Sequence, residues 1–362
     1  MSLRPIMIMA GGTGGHVYPA LAVAQALNAA SRPVFWLGTR AGLEARVVPQ
    51  AGIDIEWLDI RGLRGNGLGG WLVAPWRVSR AVAAAWSVIR RRDPVVVLGM
   101  GGFASGPGGI AAWLARRPLI IHEQNAVAGL TNRLLARFAR VVLAAFPGSF
   151  SSRSRAVVVG NPVRGDIAAL ADPAARTRDR AGPLRVLVLG GSLGARSLNE
   201  HVPAGLGMLA LTTDVDVVHQ TGRGSIDDVA AAYRNADVAA RVEPFIDDMA
   251  AAYAWADFAI CRGGALTLAE LTAAGLPAII VPYPHAVDDH QRGNAAAFVE
   301  AGAGLVLDDD SLSASSLFEV TSRLGLERDL LLSRAVAARR LAFPDATDRI
   351  AQYCLDAAEV GR

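Results

Sequence analysis

Several short segments hold the residue types that bind anions or move protons. Gly11-Gly12-Thr13-Gly14-Gly15-His16 follows the apolar run 5–10. Glycines let a turn reach positive φ and let a ligand approach the backbone, and the amides that open the next helix favour an anion. The spacing does not fit the Gly-x-Gly-x-x-Gly dinucleotide fingerprint. His16 can act as a general base near neutral pH, or it can cap the helix and orient a phosphate. A second turn, 99–109, has six glycines in eleven residues, including Gly101, Gly102, Gly106 and Gly108 around Ser105. That exceeds what a tight turn needs and points to a ligand. His122-Glu123-Gln124-Asn125 follows the apolar run 118–121, at the strand end where open α/β sheets bind ligands.

The second half repeats the device. Gly190-Gly191-Ser192-Leu193-Gly194-Ala195 follows the run 185–189, and Arg262-Gly263-Gly264-Ala265-Leu266-Thr267 leads into a helix carrying Glu270. Glu270 either accepts the two hydroxyls of a ribose or is a solvated helix residue; the glycine turn before it favours the first reading. Pro282-Tyr283-Pro284-His285 forms a rigid loop before Asp288-Asp289-His290-Gln291. These histidines and aspartates suit a metal chemically, but their spacing matches no specific metal motif.

Positioning these segments requires a regular frame. Apolar runs at 5–10, 33–37, 94–98, 118–121, 140–144 and 156–159 resume at 185–189, 215–219, 257–260, 278–281 and 304–307, with helical stretches such as 18–30, 75–92, 195–210, 265–274 and 291–301 between them. Fully apolar strands alternating with helices predict parallel sheets covered on both faces. The polar stretch 165–184 reads as part of an interdomain connection. The expected class is α/β, with two Rossmann-like doubly wound domains, 1–162 and 163–343, facing a cleft. The last helix, within 344–362, is a candidate to pack back on the first domain.

Composition removes several chemistries. The 362-residue chain has no lysine, so all 36 basic residues are arginines. A lysine Schiff base and a Walker P-loop are therefore excluded. Cys261 and Cys354 are too few for a disulfide framework, which fits a reducing compartment. No signal region or spanning helix is read, so the expected protein is soluble or bound to a membrane surface. One stretch bears on that choice. Residues 68–89 combine Trp71, Leu72, Trp76 and Trp86 with arginines that include Arg61, Arg64, Arg77 and Arg80, and Trp113 with Arg116-Arg117 adds to them. Tryptophan with arginine suits an anionic membrane face; the alternative is an amphipathic helix packed on the sheet.

Taken in order, these motifs, with Val17-Tyr18-Pro19 and Gly160-Asn161-Pro162-Val163-Arg164, resemble the GT-B glycosyltransferases of family 28 that add N-acetylglucosamine to lipid-linked muramoyl pentapeptide. The resemblance spans nearly the whole chain. It implies inverting transfer from UDP-N-acetylglucosamine to the C4 hydroxyl of the muramic acid in lipid I, giving lipid II for peptidoglycan. By that pattern Glu270 holds the ribose, and Phe245-Ile246 reads the uracil. Arg164, Ser192, Ala265, Leu266 and Thr267 line the nucleotide, and Gln291 and Asn125 contact the sugar. Thr13, Gly14 and Gly15 meet donor phosphate, and Gly14, Gly15, Gly101, Gly102 and Ser105 the acceptor diphosphate. His16 is the first candidate for the base and Glu123 the second. Leu72, Trp76, Trp86 and Trp113 form the membrane face.

The implied partners are UDP-N-acetylglucosamine, lipid I, an anionic membrane surface on the cytoplasmic side of the inner membrane, and cell-wall and division proteins; nucleic acid is not among them. No cofactor is required, with Mg2+ at most a stimulant. Asp288-Asp289-His290 departs from the family's more basic, glutamine-rich stretch, which leaves the role of His290 open. The rival readings are a UDP-N-acetylglucosamine 2-epimerase or a diacylglycerol glycosyltransferase on the same fold, and a non-catalytic UDP-sugar sensor.

Overall fold

A computed structural model describes residues 3–59, 67–178, 180–191, 194–286, 289–325 and 327–360, with the backbone alone at 67–74 and 360. The chain divides into two compact units, Met1–Val163 with Asp345–Arg362, and Arg164–Pro344. In chain order the first comprises β1 (Ile6–Met9), α1 (Gly14–Ala29), β2 (Val34–Gly38), α2 (Glu44–Gln50), β3 (Asp54–Trp57), α3 (Gly67–Arg92), β4 (Val96–Gly99), α4 (Ser105–Leu114), β5 (Leu119–Glu123), α5 (Leu130–Leu135), β6 (Val141–Ala144) and β7 (Val157–Val158). The second comprises α6 (Gly165–Ala168), α7 (Pro173–Thr177), β8 (Leu184–Leu189), α8 (Arg196–Ala210), β9 (Val215–Gln220), α9 (Ile226–Asn235), β10 (Ala239–Glu243), α10 (Met249–Trp255), β11 (Phe258–Cys261), α11 (Ala265–Ala274), β12 (Ala278–Ile280), α12 (His290–Glu300), β13 (Gly304–Val306), α13 (Ala314–Leu324) and α14 (Arg328–Arg340). The closing helix α15 (Ala346–Val360) belongs to the first unit.

Each unit is built on a parallel sheet. The orders are β3-β2-β1-β4-β5-β6-β7 and β10-β9-β8-β11-β12-β13. In both, the order reverses beside the unit's first strand, between β1 and β4 and between β8 and β11. Connections leave such a switch point in opposite directions and open a crevice at the carboxyl ends of the strands. The turns 11–16 and 99–105 sit at the first switch point, and Gly190, Gly191, Gly194 and Ala195 with 262–264 at the second.

The strand residues alternate between two cores. Ile6 and Ile8 pack with Val17, Ala20 and Leu27 of α1, while Met7 and Met9 pack with Ala85 and Ile89 of α3 and Ala111 of α4. This is the two-residue period of a strand buried on both faces. Ile350, Ala351, Cys354, Ala357 and Ala358 of α15 join the first of these cores, at the i, i+4, i+7, i+8 spacing of one helix face.

Two strands do not appear among the apolar runs of the sequence, and both lie at sheet edges. β3 is Asp54-Ile55-Glu56-Trp57 and β10 is Ala239-Ala240-Arg241-Val242-Glu243; neither contains a fully buried residue. Edge strands keep polar residues facing water, so a search for continuous apolar runs passes over them. The stretch 165–184, expected as a connection, instead folds into α6 and α7 and is fastened within the second unit. Arg176 donates to the carbonyls of Tyr253 and Ala274, and Arg180 to Ala256 O (2.9 Å) and Asp257 Oδ1 (2.8 Å). Among the described residues no helix is long and apolar enough to cross a membrane.

Candidate active site

At the first switch point the two glycine turns are packed on each other. A Cβ on Gly102, whose φ is +84°, would overlap the backbone of Gly11. Gly101 (φ +95°) lies under the His16 ring, where a Cβ would stand 2.5 Å from Nδ1. Met100 N donates to Met9 O at 2.8 Å and completes the junction. Part of the glycine excess in 99–109 therefore serves contact within the chain. Ser105 corrects its expected role as a diphosphate ligand: it is fully buried, and its hydroxyl turns inward to Gly101 O (2.7 Å) and Met9 O (3.1 Å).

Thr13 precedes α1 in an extended conformation and its side chain makes no capping bond. Gly14 and Gly15 form the first turn of that helix, and His16 follows on it. The turn also has an occupant that sequence reasoning missed. Glu44, fully buried at the start of α2, accepts from Gly12 N (2.9 Å), Thr39 N (3.0 Å) and Thr39 Oγ1 (2.8 Å). A resident carboxylate thus takes one of the turn's amides and fixes its shape. Nothing in a lone helical glutamate marks it for this; only the fold brings it under the turn.

The run 122–125 has an inner and an outer part. His122 is buried, its Nε2 donates to Gly160 O at 2.9 Å, and burial lowers its pKa to about 4, so it is neutral. Glu123 is buried and accepts at both oxygens, from Asn125 N (3.0 Å) and Nδ2 (3.2 Å), Gly129 N (3.1 Å) and Asn132 Nδ2 (2.9 Å). With four donors on it, this carboxylate shapes the loop, which argues against Glu123 as the base. Gln124 is buried and meets His16 Nδ1 through Oε1 at 3.1 Å.

In the second unit Glu270 lies one and a half turns into α11, and it is buried rather than solvated. Tyr253 Oη donates to its Oε2 at 2.9 Å, and Arg164 Nη2 stands 3.5 Å from Oε1. Burial raises the Glu270 carboxyl pKa, and the Arg164 charge and the Tyr253 hydrogen bond oppose that rise. Tyr253 was not foreseen: it sits on α10, and its fully buried ring gives no signal separable from core packing. Gly264 precedes α11, whose first turn is Ala265-Leu266-Thr267; a helix start favours an anion.

Gln291, at the start of α12, uses Oε1 to accept from Gly263 N (3.0 Å) and Tyr283 N (2.9 Å). Its carbonyl is therefore committed, and its amide nitrogen is the end left for a ligand. Phe245 is exposed and Ile246 buried in the loop after β10. Ser192 and Asp288 lie outside the described residues. Among the described residues no group of three or more histidine, cysteine, aspartate or glutamate side chains gathers as a metal site.

The first unit carries an apolar, basic surface. Trp76 and Trp86 on α3 are 61% and 43% exposed, and Trp113 on α4 is 50% exposed. Arg80 stacks over Trp76 (4.8 Å) and Arg90 over Trp86 (5.5 Å). The side chains of Trp71 and Leu72, and all of Arg61 and Arg64, lie outside the description. The surface extends beyond the sequence expectation. α3 packs along α4 and α4 along α5, and exposed Leu130, Leu134 and Phe138 continue it, with Phe138 4.9 Å from the Trp113 ring.

Both units match known proteins. Residues 6–144 match the model of the glycosyltransferase family 28 N-terminal domain, and residues 185–350 that of the family 28 C-terminal domain. The chain is 56% identical over 354 residues to the UDP-N-acetylglucosamine–N-acetylmuramyl-(pentapeptide) pyrophosphoryl-undecaprenol N-acetylglucosamine transferase of Alkalilimnicola ehrlichii, covering 98% of this chain and 99% of that one. It is 53% identical to the protein of the same description from Nitrosococcus oceani, covering 99% of each chain. The crystal structure of Acinetobacter baumannii MurG superposes with a TM-score of 0.85 at 39% identity, over 98% of this chain and 99% of that chain.

Proposed function

The chain belongs to glycosyltransferase family 28 and has the GT-B fold, and on that premise we propose how its residues divide the work of one transfer. The reaction moves N-acetylglucosamine from UDP-N-acetylglucosamine to the muramic acid of undecaprenyl-diphospho-muramoylpentapeptide (lipid I), giving lipid II. The observation that carries this reading is near-complete coverage at 56% identity by a relative of that activity, joined to the buried glutamate on α11.

The second unit holds the donor. Ionised Glu270 accepts both ribose hydroxyls; Tyr253 and Arg164 keep it oriented and charged. The first turn of α11 and Arg164 face the diphosphate, whose charge grows as the sugar leaves. Phe245 and Ile246 border the uracil. Gln291, with its carbonyl committed, can only donate to a sugar hydroxyl.

The first unit serves the acceptor. The start of α1 at Thr13, Gly14 and Gly15 favours the lipid diphosphate. His16 takes the proton from the C4 hydroxyl as that oxygen bonds to C1 of the sugar. The C1–O bond to UDP breaks on the opposite face and UDP leaves with the electron pair, so an α donor gives a β product. Asn125, held by Glu123, contributes beside the sugar.

Lipid I reaches water only at its headgroup, so the enzyme must work at the membrane. The face of Trp76, Trp86, Trp113, Leu134 and Phe138 with its arginines suits an anionic leaflet, apolar groups entering the interface and guanidiniums pairing with phosphate. Purified protein given UDP-N-acetylglucosamine should release UDP only when lipid I is present. UDP-N-acetylmannosamine formed without an acceptor would instead make it an epimerase, and tight donor binding with no turnover a sensor.

A further inference from the structure

We infer that Gln124 is a positioning residue that holds His16 in the Nδ1–H tautomer, leaving Nε2 as the atom that receives the acceptor proton. The inference deepens the reading of His16 as base and rests on it for its catalytic consequence.

The orientation of the Gln124 amide decides the matter. Its Nε2 donates to Met100 O at 2.8 Å. Turned over, the amide would set its oxygen against that carbonyl, two acceptors in contact in a buried place. Its backbone carbonyl is held in turn by Asn161 Nδ2 at 2.9 Å. Oε1 therefore faces His16, 3.1 Å from Nδ1. An amide oxygen only accepts, so Nδ1 must carry the hydrogen, and in a neutral imidazole the lone pair is then on Nε2. Among the described residues Nε2 of His16 makes no hydrogen bond.

The ring can lie in this place only because residue 101 is glycine. The three partners come from α1, the end of β4 and the end of β5, all in one unit, so the arrangement exists before any substrate binds. A free histidine side chain favours the opposite tautomer, with hydrogen on Nε2, which cannot accept a proton from an incoming hydroxyl there. An amide also orients the ring without adding charge. A carboxylate in its place would favour the imidazolium and hold the proton.

The test reads the tautomer and the chemistry separately. With six histidines in the chain, the 15N signals of the His16 ring can be assigned by comparison with a His16→Ala sample. At a pH where the ring is neutral, the wild type should show a protonated Nδ1 and an unprotonated Nε2. Gln124→Leu should shift the ring toward Nε2–H and lower kcat by roughly 10- to 100-fold, part of what a general base contributes, with the donor KM unchanged. Gln124→Glu keeps an acceptor on Nδ1 while giving up the donor to Met100 O; it should retain the Nδ1–H tautomer and move the acidic limb of the kcat/KM profile to higher pH. An Nε2–H ring in the wild type, or an unchanged ring in Gln124→Leu, overturns the inference. Full activity in His16→Ala would remove the base reading alone, because the tautomer is observed whether or not the ring takes the proton.

Discussion

Glu270 shows how burial alters what one residue can do. Its carboxylate is enclosed by Tyr253 and Arg164, and burial raises its pKa. Two charged hydrogen bonds to ribose hydroxyls can be made only by the ionised form. Glu270→Gln should raise the donor KM by roughly 10- to 100-fold, the size of one or two lost charge-assisted bonds, in steady-state kinetics with kcat less affected. Donor affinity should also fall on acidification at a higher pH than an ordinary glutamate would give, and in Tyr253→Phe at a higher pH still. Two buried histidines set a different limit. Burial holds His122 at about 4 and His219 at about 3, against 6.5 when free. Between those values and 6.5 the unfolded chain binds the protons and the folded chain does not, so stability is full above pH 6.5 and falls as pH drops. At about pH 5 each costs on the order of 2 kcal/mol. Urea unfolding at pH 7.5 and pH 5 should show that loss, and His122→Gln should reduce it.

At the scale of elements, the strand–turn–helix units at both switch points are legible in the sequence because an apolar run, a glycine cluster and a helical period each leave a local mark. The edge strands β3 and β10 leave none, since none of their residues is fully buried. The packing of one turn on another is also invisible locally. Gly102 reads as a ligand glycine, yet its place is fixed by the Gly11 backbone. Gly102→Ala should destabilise the first unit by about 2 kcal/mol or more, through both the clash and its positive φ, visible as a lowered unfolding midpoint. Glu44 and Tyr253 escaped notice for a similar reason: each acts on a segment far away in the chain. The tryptophans of 68–89 mark the apolar face in the sequence, whereas packing between helices adds Leu130 and Leu134 of α5 and, just beyond it, Phe138. Trp76→Ser with Trp86→Ser should weaken binding to vesicles of anionic lipid about tenfold or more without lowering stability, because both rings are exposed. Unchanged vesicle binding would remove these rings from the membrane face.

At the scale of the whole molecule, one strand order recurs in both sheets, with β7 added at the edge of the first. The first unit offers an oriented imidazole and an apolar surface; the second offers a buried carboxylate and a helix start. The chain's end belongs to the first: α15 places Ile350 and Cys354 in its core, so removal of residues 345–362 should lower that unit's unfolding midpoint. The assignment of tasks turns on His16. The most direct test compares wild type and His16→Ala for the linkage formed from UDP-N-acetylglucosamine and lipid I, with donor binding measured alongside. The wild type should give a β-linked disaccharide lipid, and His16→Ala should form it about 100- to 10,000-fold more slowly while binding UDP-N-acetylglucosamine with unchanged affinity. An α-linked product, or wild-type turnover in His16→Ala, would contradict the account.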